Sequence, residues 1–457
     1  MSITSINPVN GSIIKSYTAD SEEAVLTKIE SANAVWPSWS AVSFKEKEAL
    51  LKHTAVILRK GKNELAHLMA LEMGKPLQGG LDEIEKCATV CEYYAASGAT
   101  HLADQLIETE ASKSYVSFQP LGIVLAIMPW NFPFWQVFRF LAPGLMAGNC
   151  GLLKHASNVP GCALAIEKVL LDAGFPEHVF QTLMVDSKIA QKVIAHPLVK
   201  AVTLTGSTAA GMQVAKQAAG LLKKSVLELG GSDPYLILDD ADLESAAEIC
   251  AQSRLINNGQ SCIAAKRFIV TAGVEAEFTA LFTEKMASRV TGDPLTQGTD
   301  LGPIARANLR DELHQQVMDN IKKGAKCILG GVIPDFDGDH AFYGPTILSG
   351  VKKGMPAYDQ EIFGPVATII SAKNTAEAIF IANDTSFGLG SAVFTTNIAE
   401  GERIARTALQ AGSAFVNAMV KSDPRLPFGG INQSGYGREL GLYGIHEFVN
   451  IKTVYIK

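Results

Sequence analysis

The chain has 457 residues, with 40 basic and 46 acidic side chains and a formal net charge of −6. Its content of 47% hydrophobic and 19% charged residues is that of a globular protein, and it excludes collagen-like, disordered and coiled-coil chains. The mild acidity argues against nucleic acid or a membrane surface as partner, because both need a basic surface. The length predicts two or three domains.

The cysteines and the N-terminus indicate a cytoplasmic protein, and no metal site is predicted. Seven cysteines are spread along the chain, and none forms a Cys-x-x-Cys pair, so we expect a reducing compartment. The first residues lack a secretory signal, and the most apolar stretch, 121–135, is interrupted by two prolines. Residues 335–339 look like the start of a calcium loop, but Thr346 stands where a bidentate Glu is required.

The first hundred residues are predicted to be helical. Asp20 or Ser21 can cap a helix that Pro37 would end. Ser43, with a glutamate three residues later, forms a capping box that begins a second helix, and Gly61 would end it. Residues 104–118 have no helical period and are predicted to form exposed strands.

From Leu121 onward, short apolar strands alternate with helices. This rhythm predicts a mostly parallel, doubly wound α/β sheet. A second α/β block is expected from Gly231 to about residue 430, and the last residues, 449–457, alternate like an edge strand. The expected strands and helices include strands 122–128, 151–154 and 201–205, helix 160–173, and a helix around 309–321 that Gly324 ends.

The first cluster with chemical potential is Pro129-Trp130-Asn131-Phe132-Pro133, directly after a predicted strand. Two prolines fix a turn at the carboxyl end of that strand, where open α/β sheets place their ligands. The alternative is a rigid corner with a purely structural role.

The second cluster, residues 205–211, reads Thr-Gly-Ser-Thr-Ala-Ala-Gly between a strand and a helix. Backbone N–H groups at such a helix start favour phosphate, although the motif lacks the second glycine of the usual dinucleotide fingerprint. Glu228 follows about twenty residues later, where a ribose-binding acid is expected in that fingerprint. A catalytic carboxylate is an equally good interpretation of Glu228.

The third and fourth clusters are Asn258-Gly-Gln-Ser-Cys262 and Glu361-Ile-Phe-Gly-Pro-Val366. A thiolate near Gly259 could be stabilised by backbone N–H groups, whereas a single cysteine is more often a small buried apolar residue. The other six cysteines are predicted to be such core residues. The fourth cluster carries little information by itself.

Together and in this order, the clusters resemble the aldehyde dehydrogenase superfamily over nearly the whole chain. The similarity is strongest to its shorter bacterial branch, the NAD(P)-dependent succinate-semialdehyde dehydrogenases. The motifs that carry it are Pro-Trp-Asn-Phe-Pro at 129–133, Thr-Gly-Ser at 205–207, Glu-Leu-Gly-Gly at 228–231, Gly-Gln-x-Cys at 259–262, Glu-x-Phe-Gly-Pro at 361–365 and Pro-Phe-Gly-Gly at 427–430.

The resemblance implies an α/β fold with a Rossmann-type cofactor domain, an α/β catalytic domain and a small β oligomerisation element. The corresponding residues are 1–103 and 119–230 for the cofactor domain, 231–430 for the catalytic domain, and 104–118 and 445–457 for the oligomerisation strands. A homodimer or homotetramer is expected.

The resemblance also implies a covalent mechanism. Cys262 falls on the nucleophile, Glu228 on the general base and Asn131 on the side-chain half of the oxyanion hole. The thiolate would attack the aldehyde carbon, a hydride would pass to the nicotinamide, and Glu228 would activate water against the thioester.

The cofactor implied is NADP, with NAD also usable. NAD-preferring relatives commonly carry Glu three residues after the ribose-binding Lys154, and this chain has Ser157 there. Without that carboxylate, nothing at this position repels a 2′-phosphate. The positions that match the family's cofactor site are Trp130, Lys154, Ser157, Gly206, Ser207, Leu229, Glu361 and Phe363.

The substrate implied is a small semialdehyde, with succinate semialdehyde favoured. Arg139 matches the position at the aldehyde entrance where relatives of this specificity carry Arg, and Ser261 and Ser422 complete the expected substrate site. A second Arg known from some relatives is absent, since Ile256 occupies its position. Glutarate semialdehyde and aliphatic or aromatic aldehydes stay open. CoA-acylating enzymes usually lack the carboxylate that Glu228 provides.

Overall fold

Residues 2–457, which the computed structural model describes, form four β-sheets covered by helices. The helices are α1 Glu22–Ser40, α2 Phe44–Met73, α3 Leu77–His101, α4 Trp135–Ala147, α5 Pro160–Asp172, α6 Ser187–Ala195, α7 Thr208–Gly220, α8 Leu243–Leu255, α9 Glu275–Ala287, α10 Ala307–Lys322, α11 Pro356–Asp359, α12 Thr375–Asn383, α13 Ile398–Arg403 and α14 Gly441–Ile445. The strands are β1 Ser2–Ile6, β2 Ile13–Thr18, β3 Gln105–Leu106, β4 Lys113–Pro120, β5 Ile123–Met128, β6 Cys150–His155, β7 Phe180–Thr182, β8 Val199–Thr205, β9 Lys224–Glu228, β10 Pro234–Ile237, β11 Arg267–Thr271, β12 Lys326–Leu329, β13 Thr346–Ser349, β14 Val366–Ala372, β15 Gly390–Phe394, β16 Ser413–Val416, β17 Gly435–Tyr436 and β18 Val449–Ile456.

The six-stranded sheet has the order β17-β9-β8-β5-β6-β7. Its strands β5 to β9 are parallel, and the chain moves outward from β5 in both directions, so the sheet is doubly wound. Strands β5, β6 and β8 match the predicted strands to within two residues. Their apolar runs reflect burial on both faces of the sheet. The α/β prediction is confirmed.

The seven-stranded sheet has the order β12-β13-β14-β11-β10-β15-β16 and is parallel except at β12. It draws its strands from residues 234–416, within the predicted second α/β block, and α10 matches the predicted helix that ends before Gly324. Where the domains divide stays a prediction.

A separate three-stranded sheet has the order β18-β4-β3. Strand β18 pairs antiparallel with the whole of β4, from Val449 opposite Pro120 to Ile456 opposite Lys113. The predictions of strands in 104–118 and in 449–457 are therefore confirmed. Strand β18 lies at the edge of this sheet and exposes Ile451 and Tyr455.

Two helix ends were predicted wrongly. The first helix continues past Pro37 to Ser40, because the next turn buries Trp39 and its indole donates to the carbonyl of Asn149 at 3.0 Å. The second helix passes through Gly61 and ends at Gly74, which has a φ of 74°. Tertiary burial of the following turns outweighs the cost of about 1 kcal/mol for a glycine inside a helix.

No helix within residues 2–457 combines the length and the apolar character that crossing a membrane requires.

Candidate active site

The carboxyl ends of neighbouring parallel strands bring the sequence clusters together. Met128 at the end of β5 is paired with His155 at the end of β6, and Thr205 at the end of β8 is paired with Glu228 at the end of β9. The His155 ring accepts a hydrogen bond from the Ala156 N–H and donates at 2.9 Å to the carbonyl of Pro133. Burial lowers the pKa of His155 to about 4, so the ring is neutral, and its hydrogen bond to Pro133 stabilises the 129–133 turn.

The loop that carries Cys262 is held in an unusual conformation. Asn258 and Gly259 have positive φ angles of 59° and 73°. The Asn258 amide donates to the carbonyls of Gly74 and Pro303, each at 2.9 Å. A Cβ on Gly259 would lie 2.2 Å from the carbonyl carbon of Gly364, so glycine allows the third and fourth clusters to pack together.

The Cys262 thiol lies in an environment that keeps it protonated. Burial raises its pKa to about 12, while the nearby charges of Arg139 and Lys266 act in the opposite direction. The Lys266 ammonium donates to the carbonyls of Ser261 at 2.9 Å and of Cys262 at 2.6 Å, which fixes the backbone beside the thiol. A base must therefore remove the thiol proton before the sulfur can attack.

Asn131 reaches the same loop from the turn after β5. Its buried side-chain amide donates at 3.0 Å to the carbonyl of Gln260, two residues before Cys262. Asn257 in turn donates to the Asn131 carbonyl at 2.7 Å. Since an amide nitrogen has two donors, one N–H of Asn131 is left for an oxygen bound near Cys262.

Glu228 is buried beside a second carboxylate. Burial, and next the charge of Glu439, raise the pKa of Glu228, whereas Arg139 and Arg438 lower it. Gly429 of the 427–430 motif has a φ of 153°, and a Cβ there would lie 2.6 Å from Glu228 Oε1. The motif thus lets the backbone pass directly against this carboxylate, whose pKa is raised by burial.

A cavity of about 470 Å³ brings together the three predicted substrate residues. Arg139, Ser261 and Ser422 line it together with Cys262. Other residues that line this cavity include Lys75, Glu83, Lys86, Trp135, Ile256, Arg289, Lys421 and Phe428.

Arg139 is buried and already paired. Its Nε lies 2.6 Å from Glu439 Oε2, and its Nη2 donates to the Thr205 hydroxyl at 3.3 Å. The guanidinium carbon lies 4.6 Å from the centre of the Phe428 ring. Arg139 therefore lines the cavity as half of a buried ion pair.

Lys86 is a cavity-lining cation that the sequence analysis missed. Its ammonium donates to the Ser422 hydroxyl at 2.8 Å and lies 4.3 Å from the centre of the Trp135 ring. Burial, and then the charge of Arg139, lower its pKa to about 8. Lys86 belongs to no motif; only its place three residues after Glu83, on the same face of α3, could have pointed to it.

The predicted cofactor residues lie at the ends of β6, β8 and β9. Lys154 is the fifth residue of β6 and Ser157 follows the strand, exposed to solvent. Gly206 follows β8, and the Ser207 hydroxyl caps α7 by accepting the Ala210 N–H at 3.3 Å. Leu229 packs against this helix at Gly211.

The remaining predicted cofactor residues lie nearer to Cys262. Trp130 and Phe363 meet edge to face, with ring centres 5.9 Å apart. Glu361 accepts the Gly231 N–H at 3.1 Å and lies 3.4 Å from the Lys266 ammonium. The same lysine therefore connects Glu361 with the backbone of Cys262.

The cysteines differ from the prediction in one case. Five lie in the core, whereas Cys327 is half-buried and its thiol donates at 3.2 Å to the carbonyl of Leu329. All seven are free thiols. Within residues 2–457, His, Cys, Asp and Glu side chains form no group of three that could hold a metal ion.

Comparison with known proteins identifies the family of the chain. The chain matches the aldehyde dehydrogenase family over residues 1–454. It is 49% identical to the probable succinate-semialdehyde dehydrogenase [NADP(+)] of Synechocystis sp., over 100% of both chains. It is 47% identical to the succinate-semialdehyde dehydrogenase [NADP(+)] of Mycobacterium leprae, again over 100% of both chains.

A solved structure gives the same result. The crystal structure of succinic semialdehyde dehydrogenase from Streptococcus pyogenes, in complex with NADP+, matches with a TM-score of 0.96 and 35% identity over 99% of each chain. The predicted family and the predicted enzyme class are confirmed: the chain belongs to the aldehyde dehydrogenase family and is an aldehyde dehydrogenase.

Proposed function

We propose that this enzyme oxidises succinate semialdehyde to succinate, with NADP favoured over NAD. The observation that carries the proposal is that Cys262 shares one cavity with the basic side chains Lys86 and Arg139. In this cavity, the aldehyde group of succinate semialdehyde can meet the Cys262 thiol while its carboxylate meets a basic side chain. The names and the cofactor of the full-length relatives support the same substrate.

The covalent chemistry assigns one task to each of three residues. The Cys262 thiolate attacks the aldehyde carbon and forms the C–S bond. The free N–H of the Asn131 amide stabilises the resulting oxyanion together with the Cys262 backbone N–H. Glu228, whose pKa is raised, later takes a proton from the water that hydrolyses the Cys262 thioester and releases the acid.

The residues present fit a nicotinamide dinucleotide. A Cβ on Gly230 would lie 2.5 Å from Glu361 Oε2, so the glycine makes room for the carboxylate that would bind a ribose. Asn158 is buried with both side-chain amide atoms unpartnered, next to the exposed Ser157. Lys154, Ser157, Gly206, Ser207 and Leu229 would hold the nucleotide, and Trp130, Glu361 and Phe363 its nicotinamide half.

When bound, the nicotinamide supplies the hydride acceptor of the oxidation. The preference for NADP rests on Ser157, which is exposed and uncharged where a glutamate would repel a 2′-phosphate. Lys154 supplies a nearby cation, and the Ser157 hydroxyl supplies a donor.

Arg139, Ser261 and Ser422 form the substrate site of this proposal. Arg139 adds positive charge near Cys262 and favours its thiolate. Ser261 and Ser422 are both buried and line the cavity.

The proposal includes a cytoplasmic location and assembly into a homodimer or homotetramer. Seven free thiols suit a reducing compartment. The exposed edge strand β18, with Ile451 and Tyr455 at its surface, would pair with a second copy, because long open edges otherwise promote aggregation.

A substrate panel with both cofactors tests the proposal. Succinate semialdehyde should exceed butanal in kcat/KM by at least about tenfold, since butanal lacks the carboxylate and an ion pair of this kind contributes about 1.5–3 kcal/mol. Turnover should not depend on CoA. Equal kcat/KM values for the two aldehydes would instead indicate a broad aldehyde dehydrogenase, and CoA dependence would indicate an acylating enzyme.

A further inference from the structure

Lys86 and Ser422 form a group of hydrogen-bond donors on the wall of the cavity. The Ser422 hydroxyl oxygen accepts two hydrogen bonds, from Lys86 Nζ at 2.8 Å and from Trp135 Nε1 at 3.0 Å. A hydroxyl oxygen has two lone pairs, so both are occupied and its O–H is left to donate. The Lys86 ammonium uses one of its three N–H groups in this contact. The pair therefore offers donors and positive charge, which suits an anion.

The carboxylates nearest to Lys86 are bound elsewhere. Glu83 Oε1 accepts the N–H groups of Phe134 and Trp135 at 2.8 and 2.9 Å, and its other oxygen binds the Lys75 ammonium. Asp423 is held by both arms of Arg425 at 2.8 and 2.7 Å. Among residues 2–457, no carboxylate lies within ion-pair distance of Lys86.

Arg139 differs in this respect. Its charge is compensated by Glu439 at 2.6 Å, and its Nη2 is engaged by Thr205. Its electrostatic effect is directed at Cys262, whose pKa it lowers more than any other neighbouring charge. A substrate carboxylate would have to compete with Glu439 for it.

We propose that Lys86, with the Ser422 hydroxyl, binds the terminal carboxylate of the substrate and gives the enzyme its preference for acidic aldehydes. This assignment rests on the proposed function and names the residue that decides its substrate class. Arg139 then serves the thiol end of the cavity. The Lys86 ammonium lies 4.3 Å from the centre of the Trp135 ring, a cation–π contact that holds it at the cavity wall beside Ser422.

Binding of a substrate carboxylate by Lys86 should depend on pH. The pKa of Lys86 is about 8, lowered by burial and by Arg139 on α4 and raised by Cys87 and Glu83 on α3 and by Asp423 after β16. Lys86 is charged below this pKa and loses its proton as the pH rises through it. In the free enzyme, kcat/KM for succinate semialdehyde should therefore fall above about pH 8 relative to that for butanal.

Lys86→Met tests the assignment, because methionine keeps a long unbranched side chain and removes the charge. We expect kcat/KM for succinate semialdehyde, divided by that for butanal, to fall about 10- to 100-fold, mainly through KM, as expected for a lost charge-assisted hydrogen bond. Lys86→Arg should restore much of the ratio. The matched control is Lys421→Met, which removes an exposed cation at the same cavity and should change the ratio less than about threefold.

The outcomes separate the two proposals. A wild-type enzyme without preference for succinate semialdehyde would refute the proposed function itself. A wild-type preference that Lys86→Met retains, or that Lys421→Met loses instead, would overturn only the role of Lys86. If Lys86→Met does not fold, the pH dependence of the wild-type ratio decides: a ratio that stays constant through pH 8 contradicts the assignment.

Discussion

Arg139 and Lys86 are two cations on one cavity wall, and their surroundings give them different uses. Arg139 is fully buried, with Glu439 at 2.6 Å and the Phe428 ring against its guanidinium. Lys86 is half-buried, binds a neutral hydroxyl and has no carboxylate partner among the described residues. A buried cation that pairs with a carboxylate of the same protein is already neutralised. A cation without such a partner remains available to an anionic ligand. A cation's position in the sequence therefore does not reveal whether a carboxylate of the same protein already neutralises its charge.

The largest effect is expected at Cys262, which lines the same cavity as both cations. Cys262→Ala removes the sulfur that is proposed to form the covalent intermediate, so aldehyde oxidation should fall at least about a thousandfold. The measurement is cofactor reduction with succinate semialdehyde and with butanal, and Cys327→Ala serves as the cysteine control. Substantial turnover by Cys262→Ala would show that neither cation serves a covalent mechanism.

Asn131→Ala tests the neutral donor near the thiol. Loss of one oxyanion donor should lower kcat about 100- to 1,000-fold for both aldehydes, because the oxyanion forms whatever the rest of the substrate is. Single-turnover kinetics would measure this step. A fall in kcat for succinate semialdehyde alone would instead indicate that Asn131 binds the substrate carboxylate. It would then contradict the separation of the cavity into a thiol end and a carboxylate end.

Arg139→Gln separates the buried ion pair from the free cation. Removing the guanidinium leaves Glu439 uncompensated, and we expect a loss of about 3–5 kcal/mol in the free energy of unfolding. Chemical denaturation measures this change. Arg139→Gln combined with Glu439→Gln should recover part of it, because the buried charge is then gone as well. Unchanged stability in the single variant would mean that the pair is not a structural one.

Several elements of the fold could be predicted from the sequence, because local patterns determine them. The turn at 129–133, the strands that end beside it and the Ser43 capping box depend on neighbouring residues. The ends of α1 and α2 could not be predicted, because burial of Trp39 and of the turns after Gly61 overrides the local signals of proline and glycine.

The candidate site was predictable to a similar extent. Motifs predict Cys262, Glu228 and Asn131 as catalytic residues, since the order of these motifs along the chain resembles a known family. Lys86 lies on α3, far in sequence from the motifs that contain Asn131, Glu228 and Cys262. Only the packing of α3 against α4 brings it to the cavity. The pairing of Arg139 with Glu439 is equally invisible in the sequence, because it joins distant segments.

The smallest effect is expected at the proposed binding site for the 2′-phosphate of the cofactor. Ser157→Glu places a carboxylate where the 2′-phosphate of NADP is proposed to bind, so the NADP/NAD ratio of kcat/KM should fall about 10- to 100-fold. Ser157→Gln is the neutral control of the same length. An unchanged ratio in Ser157→Glu would remove Ser157 from the account of cofactor choice, and it would leave the comparison of Arg139 and Lys86 intact.

The most direct measurement is the ratio of kcat/KM for succinate semialdehyde to that for butanal, determined in parallel for wild type, Lys86→Met and Arg139→Gln. We predict a ratio of at least about ten in wild type that is retained in Arg139→Gln, because this variant slows both substrates together, and a ratio near one in Lys86→Met. A ratio that falls in Arg139→Gln and persists in Lys86→Met would contradict the account.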